Sequence, residues 1–288
     1  MKSPLIQWYP GHIAKAEKKL NAHIHKIDLV IEVRDARIPL ATGHPHLRKW
    51  IKDKKHMLVI NRSDMINNED LSAWDQWFRL KKIIPCWCNA KLGNGIEEIK
   101  RTAIQAGMEL NERRVGKGMK PRSVRALTLG FPNVGKSALI NRLTNKKIVQ
   151  SSRRAGATKT LRWVRINNDI DLLDAPGVIP PRLDDQNSAI KLAICDDIGE
   201  ASYESESICI EFLKLINNIK NQKRNKLNND FLENRYGIPF SYKNIDIYQW
   251  LENASKKHTS GNTNRMAHKI LDDYRKKLLG LISLENPL

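Results

Sequence analysis

Acidic residues, cysteines and long apolar runs are all scarce in this chain of 288 residues, and each shortage closes off a class of protein. Asp and Glu number 31 against 50 Lys and Arg, a formal net charge of +19 at pH 7. Such an excess disfavours cationic partners and suits a polyanion, although bias in composition alone can also produce it. The four cysteines are Cys86, Cys88, Cys195 and Cys209, too few and too scattered for a disulfide framework. Cys86 and Cys88 alternate along a predicted strand with no second ligand pair following, so buried thiols are expected rather than zinc ligands. No stretch approaches the roughly 20 apolar residues that a bilayer span requires. Trp8-Tyr9-Pro10-Gly11-His12 comes too early to leave room for a presequence, so a cytoplasmic protein without membrane contact is expected.

What the chain does hold is a set of short motifs in an unusual order. Gly130-Phe131-Pro132-Asn133-Val134-Gly135-Lys136-Ser137 matches the phosphate-loop pattern GxxxxGK[ST]. It follows the apolar run Val124 to Leu129 and precedes the apolar Ala138 to Leu143, the strand-loop-helix setting that the pattern needs. Asp174-Ala175-Pro176-Gly177 ends a second apolar strand and has the DxxG form. Asn61-Arg62-Ser63-Asp64 resembles the NKxD base-reading motif, and Asn89-Ala90-Lys91 stands where SAK is usual. Both precede the phosphate loop, whereas they ordinarily follow it.

Each motif has chemistry suited to one part of a guanine nucleotide. Backbone N–H groups of Asn133, Val134, Gly135, Lys136, Ser137 and Ala138, turned inward at a helix N-terminus, make a cradle for phosphates. Lys136 would bridge the β- and γ-phosphates, and Ser137 and Asp174 would ligate Mg²⁺. Thr158, in the loop segment Gly156-Ala157-Thr158 between those two motifs, is placed in the order of a switch residue that senses the γ-phosphate and joins the metal shell; Gly177 would do so from the other side. The Asp64 carboxylate can accept from N1–H and the exocyclic amine of guanine. Adenine lacks that amine, so an acceptor would go unpaired at roughly 1–3 kcal/mol, which favours GTP over ATP. Arg62 in place of lysine keeps a long stem to lie along the base, with Asn61, Asn89, Ala90 and Lys91 completing the pocket.

The order NRSD, NAK, GFPNVGKS, GAT, DAPG, together with Trp8-Tyr9-Pro10-Gly11-His12 and Asp35-Ala36-Arg37-Ile38-Pro39, resembles the circularly permuted GTPases of the YlqF/RbgA type. The likeness spans nearly the whole chain, weakening beyond DAPG to Asn264-Arg265-Met266-Ala267 and Gly280 to Glu285. It implies a GTP-hydrolysing factor in late assembly of the large ribosomal subunit, with rRNA and precursor particles as partners and neither DNA nor membrane. It also implies His12 as the group that orients water, because Val178 and Ile179 after Gly177 are apolar; a structural histidine after a Pro-Gly turn is the alternative. Asn133 resembles phosphate-loop asparagines that help to hold K⁺. A monomer is expected.

The fold read from these elements is an α/β P-loop GTPase domain with permuted motif order, a mostly parallel sheet flanked by helices over residues 1–180. A small all-helical, basic domain follows over 181–288, with apolar spacing at Ile208, Phe212, Leu213, Leu215 and Ile216, then Ile245, Trp250 and Leu251, then Ile270, Leu271, Tyr274, Leu278 and Leu279. Asn111 to Arg125 reads as a basic junction, either a solvated linker or a phosphate-contacting loop. Two other readings stay open at this point: an RNA-binding scaffold with a degenerate nucleotide site, and an ATP-dependent RNA remodeller.

Overall fold

The computed structural model describes Ile6 and residues 22–147, 162–175, 185–221, 231–240 and 245–287. His12, Thr158 and Gly177 lie outside the described residues, as does the rest of the Trp8 to Pro10 segment.

Among the described residues, six strands build one sheet: β1 (Leu29–Asp35), β2 (Lys55–Asn61), β3 (Pro85–Trp87), β4 (Val124–Leu129), β5 (Arg162–Arg165) and β6 (Ile170–Asp174). They lie in the order β3-β2-β1-β4-β6-β5, all parallel except β5, which runs antiparallel to β6 at the edge. The near-continuous apolar runs of β1, β4 and β6 follow from that placement, since a central parallel strand is covered on both faces. With the strands parallel, the ends of β1, β2, β3, β4 and β6 open on one edge. Asp35, Asn61, the loop after Trp87, Gly130 and Asp174 therefore meet there, which is the usual ligand crevice of an open α/β sheet.

Helices cover the faces. After α1 (Leu47–Ile51), α2 (Asn68–Leu80) starts at Asn67, whose side chain accepts from Asp70 N at 2.7 Å, and has Glu69 and Asp70 in its first turn, where the helix dipole favours acids. Trp74 and Phe78 lie four apart and bury one stripe against Leu58, Ile60 and Ile66. The helix α3 (Ile96–Val115) includes Asn111 to Val115, so the stretch read as a basic junction from Asn111 is in part helical. Its remainder is pinned rather than loose: Arg122 pairs with Asp28 at 2.7 Å, and Asn111 bonds both the N and O of Arg122.

The phosphate loop leads into α4 (Lys136–Thr144). Beyond β6 the described residues form the helices α5 (Gln186–Ile194), α6 (Ser205–Asn221), α7 (Phe231–Tyr236), α8 (Ile247–His258) and α9 (Thr263–Arg275). Asp185, Asp246 and Asn262 cap α5, α8 and α9 by accepting backbone N–H groups of the first turn. Ile208, Phe212, Leu213 and Ile216 of α6 meet Met266, Ile270 and Tyr274 of α9 in a core continuous with that of the sheet. Leu278 departs from the sequence reading; it is half exposed, because α9 ends at Arg275 and the chain turns at Lys277 with φ 65°.

Candidate functional site

The site grows from the two glycines of the phosphate loop. Gly130 has φ 156°, and a Cβ there would sit 2.4 Å from Val33 O; Gly135 has φ 99°, and its Cβ would sit 2.1 Å from Asn61 Nδ2. Both positions exclude a side chain, so the backbone runs close to its neighbours. Lys136 is buried, and its ammonium donates to Gly130 O at 3.0 Å and Phe131 O at 2.6 Å. Burial presses its pKa down to about 8, against the pull of Asp174 and Asp197.

Asp174 ends β6 on the same edge. Burial raises its pKa to about 6 in spite of Lys136 and Arg162, and its Oδ1 is buried without a hydrogen-bond partner. A buried carboxylate oxygen with nothing donating to it, beside a glycine-walled loop and the half-buried Ser137, has the chemistry that a hard divalent cation requires. The residues present therefore fit Mg²⁺ together with a polyphosphate.

The other half of the edge is organised around one amide. Asn61 Nδ2 donates to Val134 O at 2.8 Å, while its Oδ1 accepts from Ala90 N at 3.0 Å and from the Cys88 thiol at 3.5 Å. The two loops read from sequence, NRSD and NAK, thus meet the phosphate loop at one side chain. Asn89 plays its own local part: its Oδ1 accepts from Lys91 N and Leu92 N, which turns the chain sharply and leaves Lys91 exposed. Arg62 has its head group tied down, which leaves only its stem to face a base. Its guanidinium is spent on Asp35 at 2.8 Å and on Asn133 O at 2.5 Å, so its head is an anchor beneath the loop rather than a free end. Asp64 is half-buried and pairs with Lys277 from the turn after α9.

A second tier lies behind these loops, drawn from the Asp35 to Pro39 segment, the phosphate-loop Asn133 and Asp197, of which the motifs did not single out Asp197. Arg37, fully buried, grips Asp35 with two bonds of 3.0 and 2.7 Å, donates to Cys195 O at 3.0 Å, and lies over the Tyr274 ring at 5.6 Å. Burial pushes the Asp35 carboxyl up, but Arg37 and Arg62 more than reverse this and hold it below its ordinary range. Asp197, just past α5, is also fully buried; burial and Asp35 raise its pKa, its oxygens accept no hydrogen bond, and Arg62 Nη1 stands 3.7 Å away. Asn133, at φ 56°, donates from its amide to Asp196 O at 2.8 Å. The Asp-x-Arg spacing where β1 ends could have revealed the first pair, because an Asp at a turn accepts from the backbone N–H two residues on, as Asp35 Oδ1 does from Arg37 N at 2.9 Å. Nothing in the sequence marks Asp197 or Lys277.

A glycine-lined phosphate loop, a buried acid on the adjoining strand and two base-side loops arriving from earlier in the chain define a circularly permuted P-loop GTPase. Residues 125–235 match the family model described as 50S ribosome-binding GTPase. Ribosome biogenesis GTPase A of Bacillus cereus is 34% identical over 212 residues, covering 74% of this chain and 72% of that protein. The probable ribosome biogenesis GTPase A of Mycoplasma pneumoniae is 31% identical over 198 residues, covering 67% of this chain and 68% of that one. GNP-bound YlqF from T. maritima shares the fold with a TM-score of 0.62 at 20% identity, covering 95% of this chain and 98% of that chain. This chain belongs to the ribosome biogenesis GTPase A family, the YlqF/RbgA type of circularly permuted GTPase.

The raised pKa of Asp174 has a consequence for stability. Because it climbs from 3.8 to about 6, the folded protein keeps a proton that the unfolded chain gives up, so stability declines as pH rises across that window. Asp174→Asn removes the cost of the buried charge. The variant should melt a few degrees above the parent at pH 8, a gain of about 1–2 kcal/mol, and level with it near pH 4. Thermal melts without nucleotide across this range check it; a variant that melted below the parent at pH 8 would count against the assignment.

Proposed function

We propose that this GTPase binds GTP with Mg²⁺ across the edge formed by β1, β2, β3, β4 and β6, and acts in late maturation of the large ribosomal subunit by binding precursor particles in a nucleotide-dependent way. The observation that supports this best is the Asn61 carboxamide, which ties NRSD and NAK to Val134 of the phosphate loop although the three are dispersed and permuted in sequence.

In this reading the N–H groups of Asn133 to Ala138 and the ammonium of Lys136 meet the phosphates, and burial makes each of those charges count for more than it would in water. Ser137 and Asp174 hold the metal, with Thr158 and Gly177 completing the switch segments. When bound, Mg²⁺ neutralises charge that develops on the transferred phosphoryl group. The chain's own work is to orient the tail, exclude water and present Asp64 at the base pocket. Asn133 would add a K⁺ site. Because Val178 and Ile179 cannot position water, intrinsic turnover is slow, and His12 supplies that role on the particle. His12→Ala should then cut particle-stimulated turnover while leaving GTP affinity intact; undiminished stimulation in the variant would take His12 out of the mechanism.

The helical part, residues 181–288, is proposed as the RNA-facing half. Exposed lysines and arginines on α8 and α9 suit rRNA phosphates and shape rather than base edges. The protein would work as a cytoplasmic monomer. Co-sedimentation with precursor and mature large subunits in GDP, GTP or a non-hydrolysable analogue tests partner and switch together. Binding to precursor that rises with the GTP analogue is expected, and sedimentation indifferent to nucleotide would reject the reading.

Base choice has its own test. Asp64→Asn replaces an acceptor pair by one acceptor and one donor, so guanine affinity should fall about 10- to 100-fold while xanthine nucleotides, with a carbonyl in place of the amine, gain. Titrations of GDP and xanthosine diphosphate on both proteins read this directly, and equal GDP binding by the two would remove Asp64 from the base pocket.

A further inference from the structure

The pairing of Asp64 with Lys277 joins the base-reading loop to the far end of the chain, 213 positions away in sequence. Lys277 is held there by more than a flexible stem. Its N–H donates to Tyr274 O at 3.0 Å and Leu278 N donates to Asp273 O at 2.8 Å, closing α9 in a left-handed turn at φ 65°. On the other side of the turn, Leu284 N donates to Arg37 O at 2.9 Å, and the Glu285 carboxylate accepts from Leu40 N at 2.7 Å. Between these two anchors lie Leu278 and Leu281, both large and exposed.

A carboxylate that grips guanine uses both oxygens, one for N1–H and one for the exocyclic amine. Lys277 engages Oδ2. We propose that Lys277 and the guanine base compete for Asp64, so that nucleotide entry frees the turn at 276–281 from the base pocket and couples the pocket to the C-terminal helices. This rests on the reading of Asp64 as the guanine acceptor. Coupling of this kind is reciprocal: a phosphate of RNA that drew Lys277 away would tighten guanine binding, and guanine would tighten the binding of that phosphate by the same factor. The switch then has a base-side arm, in addition to whatever the γ-phosphate does at the other end of the pocket.

The test is calorimetric titration of GDP in Mg²⁺ buffer on the parent, Lys277→Ala, Lys277→Arg and Lys276→Ala. Lys276 is the control, since it pairs with Asp272 within α9's last turn and not with the pocket. A half-exposed ion pair of this kind makes Lys277→Ala bind GDP about two- to fivefold more tightly than the parent at low salt, with the gap closing at high salt. Lys277→Arg and Lys276→Ala should track the parent. Hydrogen exchange gives a second reading: GDP should speed exchange at Leu278 and Gly280. Parent that binds GDP while Lys277→Ala binds it no more tightly overturns the competition alone. Parent that binds no GDP brings down the pocket assignment, and the competition with it.

Discussion

The carboxamide of Asn61 touches the phosphate loop with its nitrogen and the Ala90 loop with its oxygen, and both contacts require that Gly135 carry no side chain. A buried amide satisfied at both ends is rigid and costly to disrupt, since either partner left alone would lose its only compensation for leaving water. That constraint fixes the spacing between the part of the site suited to a phosphate tail and the part suited to a base. It also explains why chain order is free to vary. What Asn61 needs is that β2 end beside the loop after β4, and a sheet with β1 between them supplies this whichever segment is made first.

Beneath this amide sits a compact group of buried charges that connects the sheet to the helices. Arg37 and Arg62 converge on Asp35, Arg37 continues to Cys195 and Tyr274, and Asn133 reaches Asp196. Burying so many charges yields little net stability, because desolvation offsets the attraction, but removing one partner leaves another stranded. The group is better understood as setting geometry: the helices cannot shift on the sheet without disturbing the residue under the phosphate loop. The continuous apolar core beneath α5, α6 and α9 acts in the same direction.

The legible part of the protein was whatever is written in local spacing. GFPNVGKS, DAPG and NRSD declare strand-loop-helix or strand-loop junctions within eight residues, so the sheet's parallel character and its ligand edge could be read before any coordinates. Asn111 to Val115 misled because charge suggested a linker, whereas an amphipathic helix begun at Ile96 simply ran on, its polar face outward. Leu278 misled in the opposite sense: an apolar residue at helical spacing past the helix end points outward once the chain turns at Lys277. Asp197 and Lys277 were invisible for a deeper reason. Their partners, Arg62 and Asp64, lie more than a hundred residues away, and no periodicity encodes a contact made only by tertiary packing.

Lys136 and Asp174 show how the edge is poised for ligand chemistry. Both are buried, both are displaced toward neutrality, to about 8 and about 6, and each is opposed in that shift by the other. Negative charge brought to the loop favours the ammonium and draws a proton toward Lys136; positive charge brought to Asp174 expels one. A ligand carrying both signs, as a metal–polyphosphate does, relieves the two burial costs together, whereas either charge alone relieves one and aggravates the other. On the proposed function, selectivity for the complex over its parts would then follow from desolvation itself.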